Sequence, residues 1–215
     1  MKKLSVALLV CSALLLSACS NEKESNSSNT SDTKTEVYAE QVTSSSERDA
    51  VQMSFKDNVL TGEGFKLTID KTQVAHNNLS GENGLIIWYT FENSSEANMK
   101  PSDIFSFFTF KQQDATSEYD LTDQVGTFDA AEGLYPMYDT NGSPLEDTDA
   151  YNTAVDNQNN FHDDYELKSD SDLLPGKSVQ VVEDVLLNNT EYPIVMKVAD
   201  DFPMSINKEV TINLK

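Results

Sequence analysis

The chain has 215 residues, with 36 acidic side chains against 15 basic ones and a formal charge of −21. That sign excludes nucleic acid as a partner, because a phosphate backbone needs a basic face. It also excludes direct docking on anionic lipid or wall polyanions, leaving solubility, cations or basic peptides as what the charge serves.

Lys2 and Lys3 precede an apolar run from Leu4 to Leu16. A spanning helix needs about 20 apolar residues, so this run is too short. A basic start, a short apolar stretch and small residues before a cut are the layout of a secretory signal. Leu16-Ser17-Ala18-Cys19 resembles the bacterial lipobox. The resemblance implies that residues 1–18 are removed and that Cys19 carries a diacylglycerol. The membrane is then a partner through acyl chains, and the chain sits on the outer face of the cell membrane. Cys11 lies in the discarded segment. With Cys19 capped, an intramolecular disulfide, a thiol nucleophile and a cysteine-ligated metal are all excluded.

Residues 19–48 are rich in Ser, Asn, Thr, Glu and Lys and nearly free of large apolar groups. Such composition cannot offset ordering entropy, and it reads as a disordered tether reaching about 30 Å by random-coil scaling. A domain over 49–215 follows. Phe65 to Asp70 alternates apolar and polar, as a half-buried strand does. Leu85 to Phe91 is continuously apolar, fitting a central strand with Leu85, Ile87, Tyr89 and Phe91 on one face and Ile86 and Trp88 on the other. Ile104 to Phe110 is the next predicted strand, with a parity switch between Phe107 and Phe108 that a bulge or a doubly buried strand would absorb. Leu174-Pro175-Gly176 marks a turn. Val179, Val181, Val185 and Leu187 then share a face interrupted by Glu183. Ile194, Met196 and Val198 form another face, and Val210, Ile212 and Leu214 a third.

About 114–172 is an insertion. It holds 16 Asp and Glu against one base, Lys168. It is far longer than an ordinary connection between strands. No segment shows an amphipathic helical stripe longer than two turns. Seven or eight short strands with turn punctuation give an all-β, antiparallel β-sandwich carrying an acidic loop insertion, with a closed barrel as the other option.

Several of these segments resemble domain-of-unknown-function family 5067, a family of Gram-positive lipoproteins and secreted proteins. Phe65-Lys66-Leu67-Thr68-Ile69 matches its opening strand, and Tyr89 to Ser95 its aromatic strand. Pro101-Ser102-Asp103 and Gln113-Asp114 match the following loop and strand end. Leu174 to Val179 matches its Pro-Gly turn, and Tyr192-Pro193-Ile194-Val195 its last segment. Glu92 departs from the family's usual Thr, and the acidic insertion is longer than expected. The resemblance implies an immunoglobulin-like sandwich and no chemistry.

His76 and His162 sit beside Asn and Asp residues with no nucleophile placed to form a triad. No Gly-x-Ser-x-Gly elbow, P-loop or zinc motif is present. Asp139, Asn141, Glu146, Asp147 and Asp149 gather oxygen ligands around Gly142. They are the candidates for calcium, which takes six to eight oxygens. EF-hand spacing fails there, and a solvated turn is the plainer reading. Asp156 to Asn160 with Asp163 and Asp164 is a second such stretch. Tyr135, Met137 and Tyr138 either grip a partner or pin the insertion to the sandwich.

The sequence reading is a membrane-anchored extracellular module that is not an enzyme. It has no cofactor, calcium aside, and binds a protein or glycan through the insertion. The alternatives are a calcium-responsive adhesion or sensing module, or a hydrolase using two carboxylates. On this reading the sandwich stays folded when the insertion is deleted.

Overall fold

A strand that is apolar on both faces must be covered twice, and that requirement organises the molecule. The computed structural model describes residues 53–200, 202, 204–206 and 209–215. All of them lie within one unit, Ser46–Lys215. The signal, Cys19 and the tether lie outside the described residues.

Ten strands form two sheets among the described residues. In the larger sheet β1 (Met53–Lys56), β2 (Val59–Gly62), β3 (Phe65–His76) and β4 (Asn83–Asn93) follow one another. They are joined at one edge by β7 (Lys177–Leu186) and at the other by β9 (Met204–Ile206), in the order β7-β4-β3-β2-β1-β9. The smaller sheet runs β10-β8-β5-β6, from β10 (Glu209–Ile212), β8 (Ile194–Val198), β5 (Phe108–Gln113) and β6 (Glu118–Asp120). Every pairing is antiparallel except β1 with β9. The two sheets are separate, so the architecture is a sandwich and not a closed barrel.

The main core lies between the sheets. Leu85, Ile87, Tyr89 and Phe91 of β4 meet Phe108 and Phe110 of β5 and Ile194, Met196 and Val198 of β8. Buried Gln112 lies at the end of β5. Its amide donates to the Asn189 and Tyr192 carbonyls, and its oxygen accepts from the Asn188 and Asn189 N–H groups, fixing the 188–192 loop.

The predicted strand from Ile104 is a 3-10 helix over Pro101–Phe107, and β5 begins only at Phe108. Pro101 at the start presets a helical φ and lacks the N–H that a helix start leaves unused. The helical turn, not a bulge, accounts for the parity switch. Phe105 packs against Tyr89 and Phe110 from it.

The insertion forms a third layer. It contains α1 (Ala130–Leu134), α2 (Thr148–Phe161), a π-helical turn at His162–Glu166 and α3 (Leu167–Ser169). Phe128, Ala130 and Phe161 make a second core with Ala75, Ile86, Trp88 and Val182 on the outer face of the larger sheet. The insertion, read from sequence as a loop, contains α2, which has 14 residues. Its stripe is thin, because only Ala154 and Phe161 are buried on it. Asp147 caps its start, accepting from the N–H groups of Asp149 and Ala150 at 2.9 and 3.0 Å. Inside the layer Glu132 is buried, and its carboxylate accepts from the Met137 N–H and the Gln158 amide, joining α1 to α2. The Phe128 ring lies on Gly84 of β4, where a Cβ would collide with it.

Candidate functional site

The candidate site forms where this layer meets the edge of β7. After Leu121 enters the core, a 3-10 turn at Thr122–Gln124 brings the chain alongside β7. Val125 bridges Val185, and the Gly126 N–H donates to the Asp184 carbonyl at 2.9 Å. The Phe128 N–H donates to the Asp184 carboxyl at 2.7 Å. The chain returns through the π-turn and α3, where Ser169 and the Tyr89 hydroxyl share a buried hydrogen bond of 3.0 Å. Between the two passes lies a groove of about 390 Å³, lined by Ser102, Gly126, Glu166, Ser169, Asp170, Glu183 and Asp184 among others.

Its electrostatics follow from acids brought together out of water. Burial, with Asp184 and Asp170 nearby, pushes the Glu183 carboxyl up to about 8. Burial, with Glu166 and Asp129 nearby, pushes Asp184 up to about 7, against the Phe128 N–H that favours its charge. Burial also raises the Tyr89 phenol. Asp170 accepts from the Ser102 hydroxyl at 2.9 Å and lies 3.9 Å from the Lys100 ammonium. Near neutrality, then, the groove holds carboxyls that donate as well as accept hydrogen bonds.

Glu183 shares parity with Val181 and Val185, which face the main core, and Asp184 shares parity with Val182, which faces the outer one. The two raised carboxyls therefore leave β7 on opposite sides of the strand, and both line the groove at its edge.

The residues predicted as calcium ligands are spread from the 139–143 turn to the start of α2. Asp139 accepts from the N–H groups of Asn141 and Ser143 at 2.8 and 3.0 Å, which holds its carboxyl below the usual range. Asp147 is the N-cap of α2, Asp149 lies in its first turn, and Glu146 is exposed just before them. Asp156 to Asn160 lies within α2, and Asp163 and Asp164 lie in the π-turn. Among the described residues no three His, Cys, Asp or Glu are grouped to hold a metal ion. Calcium is expected to raise the melting temperature no more than sodium at equal ionic strength. A calcium-specific rise of several degrees in that titration would favour the metal reading.

The aromatics of the insertion divide. Tyr135 packs edge-on against Phe161 with centroids 6.1 Å apart, so it pins the layer. The Tyr138 carbonyl accepts from the Asn78 side chain at 2.8 Å, fastening the β3–β4 turn to the insertion. Trp88 is core, with the Lys71 ammonium 3.9 Å from the ring centre. His76 pairs with Asn83 and His162 with Glu166, each at 3.0 Å. Of the groove residues only Glu183 left a mark in the sequence, as one acid in an apolar alternation. A wider trough, about 520 Å³, lies on the open face of the smaller sheet, where Lys111 pairs with Glu118 and Lys197 with Asp200.

The family described as domain of unknown function (DUF5067) matches residues 39–200. A solved structure of a candidate lipoprotein from Staphylococcus aureus subsp. aureus NCTC 8325 is similar at 13% identity and a TM-score of 0.53, over 77% of this chain and 94% of that one. A protein from Enterococcus faecalis, solved by NMR, is similar at 12% identity and a TM-score of 0.44, over 75% and 93%. No curated protein matches. The first of these likenesses shows the fold.

Proposed function

The chain belongs to the DUF5067 family, and from that premise we propose that it is a lipid-anchored extracellular binding module. Cys19 carries the acyl chains, the tether lifts the domain off the membrane, and recognition uses the outer face of the helical layer. The observation behind this reading is that the acidic insertion is folded, not a loose loop. Asp149 and Asp156 lie two turns apart on the exposed side of α2, and Asp163 and Asp164 continue it. An ordered row of like charge suits a basic protein surface. The lipobox-like run and the likeness to a candidate lipoprotein support the anchor.

Two measurements test this. In cells fed a labelled fatty acid, Cys19→Ala is expected to abolish acyl labelling and to leave the domain unanchored; persistent labelling would remove the anchor from the reading. A photo-crosslinker at position 156 is expected to capture a surface partner that one at position 211, on the opposite sheet, does not. Capture only from position 211 would place recognition elsewhere.

A further inference from the structure

Two Asn-Gly steps occur among the described residues, Asn83-Gly84 and Asn141-Gly142, in opposite settings. Glycine leaves the following backbone nitrogen unshielded, and that nitrogen can attack the asparagine side chain if the main chain is free to bring it there. At Asn83 it is not free. The residue lies in β4, paired with His76 of β3, and its side-chain oxygen is 3.0 Å from the His76 ring. Gly84 pairs with both Ala75 and Leu186 and lies under the Phe128 ring.

Asn141 is exposed at the tip of a turn, and Gly142 has a φ of +74°. One hydrogen bond, from the Gly142 N–H to the Asp139 carbonyl at 2.9 Å, ties down the nucleophilic nitrogen. The Asp139 carboxylate lies 3.4 Å from the Asn141 side-chain nitrogen, the leaving group. Opening this turn breaks a few exposed bonds, whereas freeing Gly84 requires parting the start of β4 from both β3 and β7 under the Phe128 ring.

We propose that Asn141 is a site of spontaneous, water-consuming modification that converts it to aspartate and isoaspartate as the protein ages. The Gly142 nitrogen bonds to the Asn141 Cγ and gives up its proton, and the Cγ–Nδ2 bond breaks to release ammonia. Water then opens the cyclic imide at either carbonyl, giving aspartate or, with one more methylene in the main chain, isoaspartate. No oxidant, reductant or metal takes part. Either product adds a negative charge beside Asp139. The isoaspartyl product also lengthens the turn closed by the Asp139 N–H to Ser143 carbonyl bond, next to the Tyr138 carbonyl that holds Asn78. The clasp between the β3–β4 turn and the helical layer loosens irreversibly.

The test incubates the purified full chain at mildly alkaline pH and follows amide-to-acid mass gain and isoaspartyl methylation by peptide mapping. Asn141 is expected to convert roughly tenfold or more faster than Asn83, in line with the difference in local opening. The Asn141→Gln variant should lose the isoaspartyl signal from that peptide. Equal rates at the two sites would overturn the proposal. So would an Asn141 that keeps its amide in the folded chain while a free peptide of the same sequence converts.

Discussion

The folded domain is expected to lose stability as the pH rises from about 5 to about 8. Glu183 and Asp184 hold their protons up to about 8 and about 7 in the native state. In the unfolded chain they release them near 4. Between those limits the native state binds more protons, so stability falls with pH. Their contribution is fully present below about 4 and gone above about 8. Asp114 acts oppositely. The Thr116 N–H, the Tyr119 hydroxyl and the Ser117 N–H hold its carboxyl down to about 2, so what it adds is lost on acidification below about 4. The optimum therefore falls near pH 4–5. The two raised carboxyls together are worth about 2–4 kcal/mol of this fall, allowing for their partial contact with water. Denaturant unfolding across this pH range measures it. Glu183→Gln with Asp184→Asn is expected to flatten the slope and to stabilise the protein at pH 8. A slope unchanged in that double variant would show that these two carboxyls do not carry the effect.

Removing residues 121–172 is expected to unfold the sandwich, contrary to the expectation drawn from sequence. The insertion covers Ile86, Trp88 and Val182 on the outer face of the larger sheet, and it supplies Leu121 to the inner core. Each large side chain returned to water costs about 1.5–3 kcal/mol, so the loss is comparable with the whole stability of a domain, about 5–15 kcal/mol. A gentler variant separates unfolding of the layer from unfolding of the sandwich. Phe161→Ala empties the contact between α2, Tyr135 and Tyr165 and is expected to cost about 3–5 kcal/mol. Hydrogen exchange in this variant should rise first at 148–169 and last in β4 and β8. Uniform exchange across both would mean that layer and sandwich unfold as one unit.

The sequence by itself determined which residues lie inside the sandwich. Strand side chains alternate with period two, so Leu85, Ile87, Tyr89 and Phe91, then Ile194, Met196 and Val198, announce their faces through composition alone. The same continuous run in β4 already implied a second cover for Ile86 and Trp88. What that cover is was decided only by tertiary structure. The α2 helix gains its place from two buried side chains, Ala154 and Phe161, and an acidic N-cap. Its amphipathic signal is too thin to read against the surrounding acids. Asp147, the N-cap, and Asp149 in the first turn carried a legible local meaning, a helix start, beside the metal-ligand one. The groove lay beyond the sequence for another reason. Glu183 and Asp184 are neighbours in β7, but Glu166 and Asp170 reach them only because the helical layer folds back on that edge. Desolvation and like-charge proximity depend on distance in space, and no spacing along the chain encodes it.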